Sequence, residues 1–199
     1  MPPVSLTKFI DFVCKSGTPK LTEVKNWKRR PGYTPAGDFY KRFREGVVDM
    51  HERNLPLSSL NGVLRGLTHA VKKEHYPEIV AGYRKWLCKK QAVWFPPIVA
   101  GWQFQSLEVT VNPEVGLTLD GAPHLIKLYM KSEPLKANRV NLITNLMTLA
   151  CGPGAPADCV MGILDVRRSR LFTPPTPDPL FTAQLQGEAA YWCQVWDSV

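Results

Sequence analysis

The amino-acid sequence predicts an α+β protein with a helical N-terminal half followed by a small mixed β-sheet flanked by two helices. Three observations carry this. Apolar residues recur at helical spacing up to residue 87. The period shortens to two beyond Pro96-Pro97. Helical spacing then returns twice, after Pro134 and after Pro179.

Leu6, Phe9, Ile10 and Val13 lie on one helical stripe, with Ser5 as its cap and Gly17 as its stop. Leu21, Val24 and Trp27 continue the period into a second helix. Pro31-Gly32 and Pro35-Ala36-Gly37 break the chain. Asp38 is then the expected cap of a helix with Phe39, Phe43, Val47 and Met50 on its apolar side. Leu60, Val63, Leu64 and Leu67 predict a fourth helix behind Ser58 or Ser59. Pro77, in a first turn, opens a fifth that carries Ile79, Val80, Tyr83 and Leu87.

Residues 88–103 mix charge, aromatic rings and Pro96-Pro97, which forbids helix continuation. A junction at 91–103 therefore separates a basic helical region, 1–90, from an α/β region with a small sheet, 104–199. In the latter, Leu107, Val109 and Val111 alternate with Glu108 and Thr110, as in a half-buried strand. Asn112-Pro113-Glu114 interrupts it. Leu117 and Leu119 lead into Asp120-Gly121, a hairpin signal because the tight turn needs positive φ.

On the return strand, His124 to Lys131, Ile126, Leu128 and Met130 face one way and Leu125, Lys127, Tyr129 and Lys131 the other. The lysines are expected on the solvent face of an edge strand, where they discourage edge-to-edge pairing. Pro134 opens a helix bearing Leu142, Ile143, Leu146, Met147 and Ala150, which Gly152-Pro153-Gly154 ends. Cys159 to Val166 is a further strand, turned by Arg167-Arg168-Ser169 into Arg170-Leu171-Phe172. Asp178-Pro179 caps and opens the last helix, with Phe181, Leu185, Trp192 and Trp196 on one side.

The formal charge is +8 and is uneven. Residues 1–101 hold 18 Lys/Arg against 8 Asp/Glu, a net +10, whereas residues 102–199 hold 7 against 9, a net −2. A basic half joined to a near-neutral half points to an anionic partner, of which nucleic acid is the commonest. The five cysteines are scattered, with no C-x-x-C pair, and read as reduced thiols. With the four histidines they do not give zinc-ligand spacing, so no metal is assigned. No apolar run approaches the roughly 20 residues of a membrane helix, and Met1 to Ser5 lack the pattern of a secretory signal. A cytoplasmic location with no membrane partner is expected. Neither a phosphate-binding G-x-x-x-x-G-K-[ST] loop nor a G-x-S-x-G nucleophile elbow is present.

The stretch from Leu107 to Met147, followed by the strand at Cys159, has a strand–strand–hairpin–strand–helix–strand order that resembles the core of PD-(D/E)XK nucleases over residues 104–172. That family places an acid near the start of one strand and an acid-x-Lys triplet on the next. The acids hold Mg²⁺ and the lysine orients the attacking water. The resemblance implies Asp120 as the first acid and Lys127, or else Lys131, as the lysine. The positions two before these lysines are Leu125 and Tyr129, so the second carboxylate is missing. A Mg²⁺ site thereby loses both charge and a hard oxygen ligand. Glu108 and Glu114 are the other acids able to enter such a site from a neighbouring strand. Without the resemblance, Asp120 simply serves the turn.

Cations also cluster with aromatic rings, at Trp27-Lys28-Arg29-Arg30, at Tyr40-Lys41-Arg42-Phe43-Arg44 and at Tyr83-Arg84-Lys85-Trp86 with Lys89 and Lys90. Arg167, Arg168 and Arg170 lie at a turn. Such cations can neutralise phosphates while rings stack on bases. The sequence is accordingly read as a nucleic-acid-binding protein, DNA-binding among the possibilities, without catalytic activity of its own and without cofactor, Mg²⁺ entering only with a nuclease. The competing reading is an assembly subunit for an acidic protein, or a homodimer, through the Trp192/Trp196 helix.

Overall fold

The computed structural model describes residues 1–29 and 38–199. The Pro31-Gly32 and Pro35-Ala36-Gly37 breaks and Arg30 lie outside them. The architecture is α+β, with a helical region over residues 6–87 followed by mixed sheets and two further helices.

Strand β1 (Val4–Ser5) leads directly into α1 (Leu6–Val13), where the Ser5 hydroxyl accepts the Lys8 N–H at 3.4 Å. Helix α2 (Thr18–Lys28) starts behind Gly17, whose φ of +60° suits a residue without Cβ. Helix α3 (Lys41–Glu52) has Tyr40, not Asp38, at its N-cap, because the Asp38 carboxylate is taken by Arg44. The expected fourth helix is a 3-10 segment, Leu57–Leu64. Helix α4 (Ala70–Leu87) begins seven residues before Pro77 and carries the proline in its interior. Tyr76, Ile79, Val80 and Tyr83, buried on either side of it, provide the packing that offsets the lost backbone bond.

Residues 91–103, expected as a junction, supply two strands. Strand β2 (Ala92–Phe95) is an edge of a five-stranded sheet in the order β2-β5-β6-β7-β8, built with β5 (Val115–Leu119), β6 (Ala122–Tyr129), β7 (Val160–Asp165) and β8 (Arg170–Phe172). Strand β3 (Ala100–Phe104) joins β4 (Leu107–Val111) and β1 in a second sheet, β1-β4-β3. The β6–β7 pair is parallel, connected through α5 (Ala137–Cys151), while the other pairs of the large sheet are antiparallel. Asp120 and Gly121 make the β5–β6 turn with φ of +49° and +93°.

The hydrophobic core crosses the boundary expected near residue 91. Val115, Leu117, Ile126, Leu128, Leu164 and Val166 pack against α3 and α4 on one face of the large sheet. Leu125, Tyr129, Met161 and Ile163 face α5 on the other. Behind α5 lie β4, α1 and α6 (Pro179–Ser198). Helix α5 is thus covered on most sides, which is why its apolar residues do not form a single stripe. Its buried Asn145 is satisfied: Nδ2 donates to Asn141 O at 2.9 Å and Oδ1 accepts the Asp178 N–H at 2.6 Å. Asp178 in turn caps α6 by accepting the Leu180 N–H at 2.8 Å.

Two sequence expectations change here. Lys127 is 7% exposed on a central strand, because the α5 crossover lays β7 beside β6; strand periodicity cannot tell a central strand from an edge. Trp192, expected in a partner surface on one reading, is fully buried and meets the Phe12 ring edge-on at 4.7 Å, as part of the core. Trp196 is half-buried under the Lys28 ammonium. No helix among the described residues is long and apolar enough to cross a membrane.

Candidate nucleic-acid interface

Lys127, the lysine that the nuclease resemblance implies, lies at the end of β5 away from the hairpin, apart from Asp120. Glu114 and Lys127 are equidistant from the Asp120-Gly121 turn and therefore face each other across the β5–β6 register. Lys127 Nζ donates to Glu114 Oε1 at 2.6 Å, Asn112 O at 2.9 Å and Asn112 Oδ1 at 3.3 Å. Glu114 Oε2 accepts the Leu128 N–H at 2.8 Å, continuing the ladder where β5 has ended. Arg44 Nε lies 3.9 Å from Glu114 Oε1. Lys131 and Arg139 converge on Asp11, at 3.0 and 2.5 Å. Arg44, Glu114, Lys127, Lys131 and Arg139 share the wall of a cavity of about 510 Å³.

The acid beside Lys127 is therefore Glu114. Asp120 sits six residues farther along β5, roughly 20 Å at the rise of a strand, and holds the turn by exchanging backbone and side-chain bonds with Gln91. The three protons of the Lys127 ammonium are matched by three acceptors. Leu125, where the triplet needs a carboxylate, is fully buried. Mg²⁺ does not fit this donor set: one carboxylate reaches the centre from the strands, and it is engaged by a lysine and a backbone N–H. Among the described residues no group of three or more His, Cys, Asp or Glu is placed to hold a metal ion. The signal for Glu114 was available by counting outward from the Asp120-Gly121 turn.

The basic residues singled out by sequence divide into two sets. Arg44 pairs with Asp38, Lys41 with Glu45 at 3.6 Å, Arg167 with Glu78 and Arg168 with the buried Asp165 at 3.1 Å. The Arg167 and Arg168 guanidinium groups also donate to Met130 O and Ser132 O at 2.8 Å, which pins this turn to the sheet. Lys28 donates to Trp196 O at 2.7 Å. Two others make no ion pair among the described residues: Arg29 is exposed, and Arg170 lies 4.5 Å over the Phe172 ring.

The second set lies between residues 57 and 90, which contain seven Lys/Arg and two Asp/Glu. Of these acids, Glu78 is held by Arg167. Arg65, Lys72, Lys73, Arg84, Lys85, Lys89 and Lys90 make no ion pair with a carboxylate among the described residues. Arg42 joins them from α3. Its guanidinium donates to Gly62 O and Arg65 O, while Arg84 donates to Asn61 Oδ1 at 3.1 Å, so three arginines surround the 3-10 segment. Lys85 is in the last turn of α4, and Lys89 and Lys90 follow its carboxyl end, where the helix dipole favours cations. Arg65 was not legible in the sequence because no aromatic residue flanks it directly.

No protein-family model matches the chain, and no curated protein is similar to it.

Proposed function

We propose that the chain binds nucleic acid through the band formed by Arg42, Arg65, Arg84, Lys85, Lys89 and Lys90, and that it does so without cutting the strand. What supports this best is the lack, among the described residues, of carboxylate partners for the cations of residues 57–90, in contrast to the paired cations around Glu114, Asp11 and Asp165. A paired cation has already exchanged its hydration for a carboxylate. An unpaired one in a chain of net charge +8 stays hydrated and can neutralise a phosphate, releasing the cations condensed on the nucleic acid. The nuclease-like arrangement at Glu114 and Lys127 supports binding without hydrolysis, since Leu125 supplies no second carboxylate.

Fluorescence anisotropy with labelled oligonucleotides, titrated from about 50 to 200 mM salt, tests the reading. Affinity should fall linearly in log–log form. Lys85→Glu with Lys89→Glu should weaken binding and lower the slope by roughly one for each phosphate no longer neutralised. Absence of binding at the lowest salt, or an unchanged slope in the double variant, refutes the assignment.

A further inference from the structure

Beside the carboxyl end of α4 lies a cavity of about 590 Å³, walled by His51 of α3, Leu55, Leu87 and Lys90 at the end of α4, and Trp94 of β2. The His51 ring stacks on Trp94, with centroids 6.0 Å apart and planes 10° apart. Its Nε2 is 2.7 Å from the Tyr83 hydroxyl. Tyr83 is fully buried, which pushes its pKa up and keeps the hydroxyl protonated. Burial also pulls His51 down to about 4, so the imidazole is neutral at pH 7.

One proton arrangement satisfies both groups. Tyr83 O–H donates to Nε2, and the ring proton resides on Nδ1. The reverse would strand the Tyr83 proton in the core with no acceptor among the described residues. The Nδ1–H has no protein acceptor among the hydrogen bonds described, and His51 is part of the cavity wall. The wall therefore combines the stacked His51 and Trp94 rings, an imidazole N–H without a recorded acceptor, and Lys90, whose ammonium lies 6.0 Å from the Trp86 ring centroid. Glu52, in the same wall, disfavours a free anion as occupant, whereas a neutral ring meets no such repulsion.

We infer that this cavity receives one unpaired nucleobase of a single-stranded nucleic acid whose flanking phosphates lie on Lys89 and Lys90, an inference that rests on the nucleic-acid reading above. Each base carries a ring nitrogen or carbonyl acceptor for the Nδ1–H and an apolar face for the wall. A base inside a duplex has its edge taken and both faces covered, so the cavity selects unpaired strands.

The experiment compares a thymidine oligonucleotide of about ten residues, an abasic strand with the same phosphates, and a duplex of equal length. Each is titrated at low salt against the unaltered protein, His51→Phe and Leu55→Trp. The thymidine strand should bind at least about fivefold more tightly than the abasic one, with quenching of tryptophan fluorescence. Leu55→Trp should abolish that difference, His51→Phe, which removes the N–H and keeps a ring, should reduce it, and both should leave abasic binding unchanged. Leu55 is 39% exposed, so Leu55→Trp fills the cavity without entering the core and carries the test where His51→Phe does not fold. Equal binding of thymidine and abasic strands overturns the base pocket and leaves the nucleic-acid reading standing. No binding of any probe overturns both.

Discussion

Replacing Lys127 with methionine separates a structural lysine from a ligand-facing one. The side chain keeps most of its length, one heavy atom fewer, and loses its charge. What remains is the Glu114 carboxylate, 9% exposed, with the Leu128 N–H at 2.8 Å and the Arg44 Nε at 3.9 Å as its remaining partners among the bonds described. Breaking a buried pair from one side costs about 3–5 kcal/mol, because the surviving charge is left desolvated. Arg44 and the adjoining cavity ease that burden and place the expected loss near the lower end, about 3 kcal/mol. For a chain of 199 residues this corresponds to a fall in Tm of roughly 6–12 °C. Urea unfolding of Lys127→Met, Glu114→Gln and the double variant gives the coupling directly. It should exceed about 1.5 kcal/mol, the double variant being more stable than the single losses predict by addition. A cost below about 0.5 kcal/mol for Lys127→Met would mean a solvent-screened surface pair, and the assignment of a closed, fully bonded centre would be refuted. A stable Lys127→Met protein with lost oligonucleotide binding would move the interface from α4 to this cavity.

Stability should also fall on mild acidification. The folded-state pKa of His51 is lowered to about 4 from its usual 6.5, so between these values the unfolded chain binds more protons and stability rises with pH. Unfolding measured at about pH 7.5 and about pH 5 should differ by about 1–2 kcal/mol after allowance for partial exposure, and His51→Phe should flatten the slope; an equal slope in the variant refutes this. Gly82→Ala should cost about 3 kcal/mol or more, since a Cβ there would collide with the Val166 carbonyl oxygen and push α4 off the β7–β8 turn. A circular-dichroism melt within about 2 °C of the unaltered protein would contradict that packing. Pro77→Ala should stabilise by about 1 kcal/mol in urea unfolding, by restoring a backbone donor in the interior of α4; a loss of stability would mean that the proline shapes the helix usefully.

Local chemistry was legible wherever neighbours along the chain suffice. Ser5 and Asp178 cap helices as their spacing implied, and Asp120-Gly121 turns the hairpin with positive φ. The alternation from Leu125 to Lys131 put the right residues on the right faces of β6. Propensity failed where tertiary packing overrides it, as at Pro77 inside α4, at the 3-10 segment Leu57–Leu64, and at β2 and β3, concealed by their aromatics and by Pro96-Pro97 between them.

The candidate site was less legible because charge is a pairwise property of space. The sequence by itself determined the α+β order, the Asp120-Gly121 hairpin turn, and the excess of cations in the first half. Only the tertiary structure decided that Lys127 lies on a central strand, that Trp192 is core, and which of the described cations meet a carboxylate. Composition counts ionised groups one at a time, but whether an arginine neutralises an acid or awaits a phosphate depends on the few ångströms that separate it from residues far away along the chain.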